Sequence, residues 1–112
     1  TDPGQAMICL NGLDKLSRLP FAEEILPWTR QFWSVRTFGG ALDAVFVASG
    51  RADAWVESDL KPWDLAALSV IAQEAGAAFR NFDGGASVHA GTCIICTPAL
   101  LEPIGNFFGR TG

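Results

Sequence analysis

Two carboxylates, Glu57 and Asp64, flank the short connection S-D-L-K-P-W in the stretch from Glu57 to Gly76. Asp64 follows Lys61-Pro62-Trp63 and opens an apolar, alanine-rich run that ends at Gly76. An acid at a helix N-terminus is favoured by the positive end of the axis dipole. The small residues behind it let the helix approach a sheet closely, so the carboxylate stands at the edge of a rigid layer. A metal ion or a polar substrate can use it there. The plainer alternative is that Asp64 caps its helix, since Asp is among the best N-caps. Glu57, by the same standard, is a solvated acid at a strand end, and Asp59 and Lys61 are loop charges.

A second candidate is the turn Gly39-Gly40-Ala41. Glycines that end a strand and begin a helix can aim backbone N–H groups at an anion such as phosphate. Glycine pairs also end strands with no ligand at all. His89 is the only histidine. It lies in an expected loop with no neighbouring nucleophile or orienting acid, which argues against triad chemistry. Cys93-Ile-Ile-Cys96 matches C-x-x-C, but cysteines at that spacing on a strand face opposite sides. Without a second Cys pair or a matching His they do not make a zinc site. Trp63 reads as a packing anchor and Asp83 as a turn former before Gly84-Gly85.

The elements that must hold these groups alternate. Residues 1–18 read as irregular, apart from a short strand over Ala6–Leu10. Pro20 starts a helix over Phe21–Gln31 that Pro27 kinks or shortens. Alternating polarity predicts a strand over Trp33–Phe38. Apolar residues nearly all round predict a buried helix over Ala41–Ser49, capped by Gly50. A strand over Ala52–Glu57 leads through the loop Ser58–Pro62 to the helix that follows Trp63. On that helix Leu65, Leu68, Ala72 and Ala75 share one face, with Ser69 and Gln73 on another. Strands over Ala77–Asp83 and Gly91–Thr97 follow, then a helix over Pro98–Phe108. Such alternation implies an α/β layered architecture, whose sites gather at strand ends and helix N-termini.

The chain has 112 residues, so it holds one domain at most, and 49% of them are hydrophobic, which excludes a disordered segment. A net charge of −4, with basic residues scattered from Lys15 to Arg110, argues against a nucleic-acid footprint. No apolar run approaches the length of a membrane span. The start, Thr-Asp-Pro-Gly, is no signal peptide and reads as the interior of a longer protein. Three cysteines, an odd count, suggest reduced thiols in a cytoplasmic protein.

G-G-A-L-D-A-V-F-V-A-S-G-R-A-D-A-W-V-E, K-P-W-D-L-A-A, I-A-Q-E-A-G and D-G-G together resemble the C-terminal half of the inositol monophosphatase family. Its members are magnesium-dependent, lithium-sensitive phosphomonoesterases, among them histidinol-phosphate and phosphoadenosine-phosphate phosphatases. The resemblance is strong over residues 36–85, looser to about 108 and poor over 1–35. It therefore separates residues 1–35 from a C-terminal α/β domain over 36–112, and implies the layered α-β-α form of the inositol monophosphatase and sugar phosphatase fold. It also implies that Asp64 is a Mg²⁺ ligand beside the substrate and that Glu57 meets a substrate hydroxyl. The turn Gly39-Gly40-Ala41 would supply backbone donors near the phosphate, with either Gly39 or Gly40 in the phosphate-facing position. The stretch from that turn to Gly50 is one residue shorter than in typical inositol phosphatases. The family's remaining metal ligands and its D-P-[IL]-D-G-T motif are missing; Asp2-Pro3-Gly4-Gln5 lacks the second Asp and the G-T. The resemblance thus implies half of an active site. Its partners would be a small phosphorylated metabolite, the N-terminal half of the same protein and a second copy in a homodimer.

Overall fold

The strands divide by whether both of their faces can be buried. In the computed structural model, which describes residues 2–109, β1 (Met7–Asn11) and β3 (Ala54–Ser58) are apolar through the middle and lie in the sheet interior. Ile8, Cys9, Ala54, Trp55 and Val56 are wholly buried. A strand covered on both faces needs apolar side chains in both directions, which alternation cannot supply. β2 (Ser34–Arg36) and β4 (Ala78–Arg80) are three residues each and form the two edges; β5 (Thr92–Cys96) lies inside. The order is β2-β1-β3-β5-β4. β1 pairs in parallel with β2 and β3, whereas β5 runs antiparallel to both β3 and β4.

Helices cover both faces, giving the layered α-β-α architecture that the sequence implies. One face packs Ile8, Leu10, Val56, Ile94 and Cys96 against Leu16 of α1 (Leu13–Leu16), Ile25 of α2 (Ile25–Thr29) and Ile104 and Phe108 of α5 (Leu101–Phe108). Phe108 sits in an aromatic group with Phe21, Trp28, Phe82 and Phe107. The other face packs Cys9, Trp55, Cys93 and Ile95 against α3 (Gly40–Ala48) and α4 (Pro62–Glu74) through Ala44, Val47, Leu65 and Ala72. Cys93 and Cys96 accordingly face opposite layers, and all three cysteines are free and buried. Asp53 closes the opposite end of the sheet: its carboxylate accepts the Met7 N–H at 2.8 Å and its carbonyl accepts the Thr97 N–H at 2.9 Å.

Several local expectations change. Residues 1–18 are not wholly irregular, because Gly12 in a left-handed turn (φ 72°) starts the single-turn helix α1. The helix expected over Phe21–Gln31 is a 3₁₀ turn, Ala22–Glu24, followed by five-residue α2. Pro27 lies in the first turns of α2, where a missing N–H costs nothing. The strand expected over Ala77–Asp83 stops at Arg80, because Asn81 turns the chain with bonds from its amide to the carbonyls of Ser87 and Thr92, both 2.8 Å. Pro98 begins a 3₁₀ turn rather than α5 itself. On α4, Ser69 belongs to the buried face with Leu65 and Ala72, while Ala75 is exposed; the Ser69 hydroxyl satisfies itself on the Ala66 carbonyl at 3.1 Å.

Burial pushes the Cys9 thiol, which also faces Asp43, from 9.0 up to about 12, and burial raises Cys96 to about 12 as well. A proton held more tightly in the folded state stabilises it fully below pH 9 and ceases to do so as the pH rises towards 12. Native protein at pH 8 is therefore expected to leave its thiols unreactive to Ellman's reagent, with three appearing per chain only in denaturant. Rapid labelling of the native protein would contradict this packing.

Candidate active site

Between β1 and β3 the connections part. The chain leaves β1 through α1 and α2 on one face and leaves β2 through α3 on the other. The carboxyl ends of β1 and β3 therefore lie where the connections diverge, the usual ligand position in open α/β sheets. Asn11 and Glu57 are directly paired there, and Glu57 pairs with Cys93 on its other side.

An open depression of about 260 Å³ lies over the end of β3, lined by Ala41, Trp55, Glu57, Leu60, Asp64 and Leu68. Three elements meet in it: the start of α3, the end of β3 and the start of α4. Of the residues singled out from sequence, Ala41, Glu57 and Asp64 are brought together, with Gly39-Gly40 immediately ahead of Ala41. Gly39 has φ 129°, a conformation that any Cβ would strain. The first N–H groups of α3 have no acceptor within the helix. His89 and Asp83 lie elsewhere, in the loop after β4, where Asp83 accepts the Gly85 N–H at 2.8 Å as a turn former does.

Asp64 is not the N-cap. Lys61 takes that position and Asp64 is the third residue of α4, exposed and without a capping bond. Its carboxylate thus stays free of the helix that carries it. Trp63 is no packing anchor either, being 71% exposed beside it.

Glu57 is half-buried and tied down rather than solvated. Its Oε1 accepts from Asn11 Nδ2 at 2.9 Å and from Trp55 Nε1 at 3.1 Å. Asp43 was missed as a site residue. It is wholly buried in the first turns of α3, and its carboxyl accepts the N–H groups of Phe38, at 3.3 Å, and Gly39. Its Oδ2 has no hydrogen-bond partner among the described residues. Burial raises the Asp43 pKa, and Glu57 nearby adds to the rise. One acid inside an otherwise apolar helix was the available signal. Asn11 was missed too, since an Asn-Gly pair after an apolar strand reads as a plain turn.

Among the described residues no three His, Cys, Asp or Glu side chains converge as a metal cluster. Asp64 offers the hard carboxylate oxygen that Mg²⁺ takes, and that ion commonly uses one or two carboxylates with waters and substrate phosphate. It suits one corner of such an octahedron; the rest of the set is not supplied here.

The sequence model of the inositol monophosphatase family matches residues 8–105. The chain belongs to that family. A histidinol-phosphatase from Streptomyces coelicolor is 34% identical over 110 residues, covering 98% of this chain and 40% of that protein. The Nus factor SuhB of Vibrio cholerae is 42% identical over 70 residues, 62% of this chain and 26% of that protein. Among solved structures, the inositol monophosphate-bound SaIMPase-II superposes with a TM-score of 0.83 at 25% identity, covering 96% of this chain and 43% of that one. The chain spans about two fifths of the length of the histidinol-phosphatases it matches.

Asp43→Asn keeps the shape of the side chain and removes its ionisation. Because the folded pKa of Asp43 is raised, the wild-type acid stabilises the fold least at neutral pH. The melting temperature of the variant minus that of wild type should therefore rise from pH 4 to pH 7. A difference that stays flat, or falls, would show that Asp43 ionises as freely as in the unfolded chain.

Proposed function

We propose that this chain is the C-terminal part of a magnesium-dependent phosphatase acting on small polar phosphate monoesters. The observation that carries the proposal is the depression in which Ala41, Glu57 and Asp64 meet at the carboxyl end of β3, where Glu57 pairs with the last residue of β1. Its volume suits a small metabolite rather than a polymer. In this reading the Gly39-Gly40-Ala41 turn presents the backbone N–H groups of Gly40 and Ala41 to the phosphate, while that of Gly39 is held by Asp43. Glu57 accepts a hydrogen bond from the alcohol portion and fixes its orientation. Asp64 holds one Mg²⁺, an ion that offsets developing negative charge and activates water in phosphate ester hydrolysis. The remaining ligands and the water-positioning groups come from the N-terminal half, so the isolated chain is inactive.

The substrate class includes inositol monophosphate, which the family name and the bound neighbour favour, and histidinol phosphate, which the Streptomyces relative favours. Phosphoadenosine phosphate is the third candidate. Lithium sensitivity, a homodimer and a cytoplasmic setting belong to the same proposal. Among the described residues no helix is long and apolar enough to cross a membrane. The exposed apolar residues Leu42 and Val45 of α3 and Val70 and Ile71 of α4 would be covered by the missing half or a second copy. The competing reading is a non-catalytic ligand-binding or assembly module, favoured by the likeness to a Nus factor.

A phosphate-release panel on the full-length protein separates the readings. Inositol phosphate, histidinol phosphate and phosphoadenosine phosphate are offered with and without Mg²⁺ and Li⁺. Mg²⁺-dependent release from at least one is expected, and none from any would favour the module. Asp64→Asn should lower the rate by roughly 10²–10³-fold, as loss of several kcal/mol of transition-state stabilisation requires. An unchanged rate and Mg²⁺ dependence would remove Asp64 from the metal site.

A further inference from the structure

Asn11, at the end of β1, makes three connections, one of them to Glu57 in the lining of the depression. Its Nδ2 donates to Glu57 Oε1 at 2.9 Å, while its Oδ1 accepts the Gly12 N–H at 3.0 Å and the Thr37 hydroxyl at 3.3 Å. Gly12 is the first residue after β1, and Thr37 lies two residues before the Gly39 turn. One amide therefore joins the end of β1, the approach to the glycine turn and the carboxylate of β3. The bonds also fix the amide's orientation, since the N–H of Gly12 can only donate and must meet the oxygen. The NH₂ is then aimed at Glu57.

Trp55 Nε1, on a wholly buried indole, donates to the same Oε1 at 3.1 Å. With two donors on Oε1, no hydrogen bond from the described residues falls on Oε2. A carboxylate held in this way turns one oxygen inwards and offers the other to whatever enters the depression. An oxygen so presented can only accept, so it favours a ligand with a hydroxyl or ammonium donor close to its phosphate ester.

We propose that Asn11 is a specificity-determining positioning residue: by anchoring Glu57 Oε1 it reserves Oε2 for a donor group on the alcohol portion of the substrate. The proposal rests on the depression being the substrate site of a phosphatase. A turn-forming asparagine with no such role would affect folding alone. Asn11→Asp separates the two, because it keeps the size and the acceptor for Gly12 and Thr37 while replacing the donor to Glu57 with a second acceptor. Asn11→Leu removes all three bonds and serves as the comparison.

The test uses the full-length protein with Mg²⁺ and a matched pair of esters, glycerol 2-phosphate and isopropyl phosphate, which share a carbon skeleton and differ in two hydroxyls. Wild type should prefer glycerol 2-phosphate. In Asn11→Asp the KM for that ester should rise about tenfold, the size of one lost hydrogen bond to a charged group. Its kcat and both constants for isopropyl phosphate should change less than twofold, so the preference disappears. Glu57→Gln should weaken the preference similarly, and the double variant should lose no more than the worse single one. Equal losses on both esters with a lower melting temperature, or a preference that survives Asn11→Asp and Asn11→Leu, would overturn the role of Asn11 while leaving the phosphatase standing. A wild type inert towards both esters, and towards the wider panel, would instead remove the reading on which the role rests.

Discussion

Parallel pairing of β1 with β3 requires chain to return from the end of one strand to the start of the other, and both faces of the pair are apolar and must be covered. Here the return passes through β2, with α1 and α2 on one face and α3 on the other. The backbone connections diverge at the carboxyl ends of the two strands as a result, and side-chain contacts such as Asn11–Glu57 join them. That divergence is a by-product of covering β1 on both sides. Glu57 stands at it because β3 has one residue of the correct parity, two positions after Trp55, at the level where the helices begin.

The groups around the depression are restrained to different degrees. Glu57 is gripped by neutral donors, Asp43 is sealed beneath the glycine turn, and Asp64 is left exposed on the first turn of α4. Three acids a short distance apart thereby acquire three characters from their surroundings. The acid with no partner among the described residues is the one suited to an external cation, whereas the buried one carries its proton more readily because burial disfavours its charge. The Lys15–Asp59 contact, 3.7 Å and largely exposed, adds little energy and joins α1 to the loop after β3.

The alternation of strands and helices was legible because each long element carried its own signal: Pro62 ahead of α4, Gly76 after it, and the β-branched run of β5. The approximate place of Glu57, Asp64 and the glycine turn followed from those ends. What stayed hidden was set by partners distant in sequence. Asn11 and Glu57 are 46 residues apart, and no local pattern announces that the strands carrying them lie side by side. The buried side of α4 was misassigned at Ser69 for a related reason, since a hydroxyl that bonds its own helix can be buried as easily as an alanine. Pro27 shows the converse: the shortness of the helical segment around it was readable, but the 3₁₀ turn ahead of α2 was not.

Both margins of the sheet are only three residues long. A strand added to either would gain few main-chain hydrogen bonds, too few to hold another lobe or to template a fibril. Growth sideways is thereby discouraged, and the broad apolar flank of α3 and α4 is left as the direction in which a larger molecule can be assembled. Stacking layer upon layer, rather than widening one sheet, is the architecture that these short margins permit.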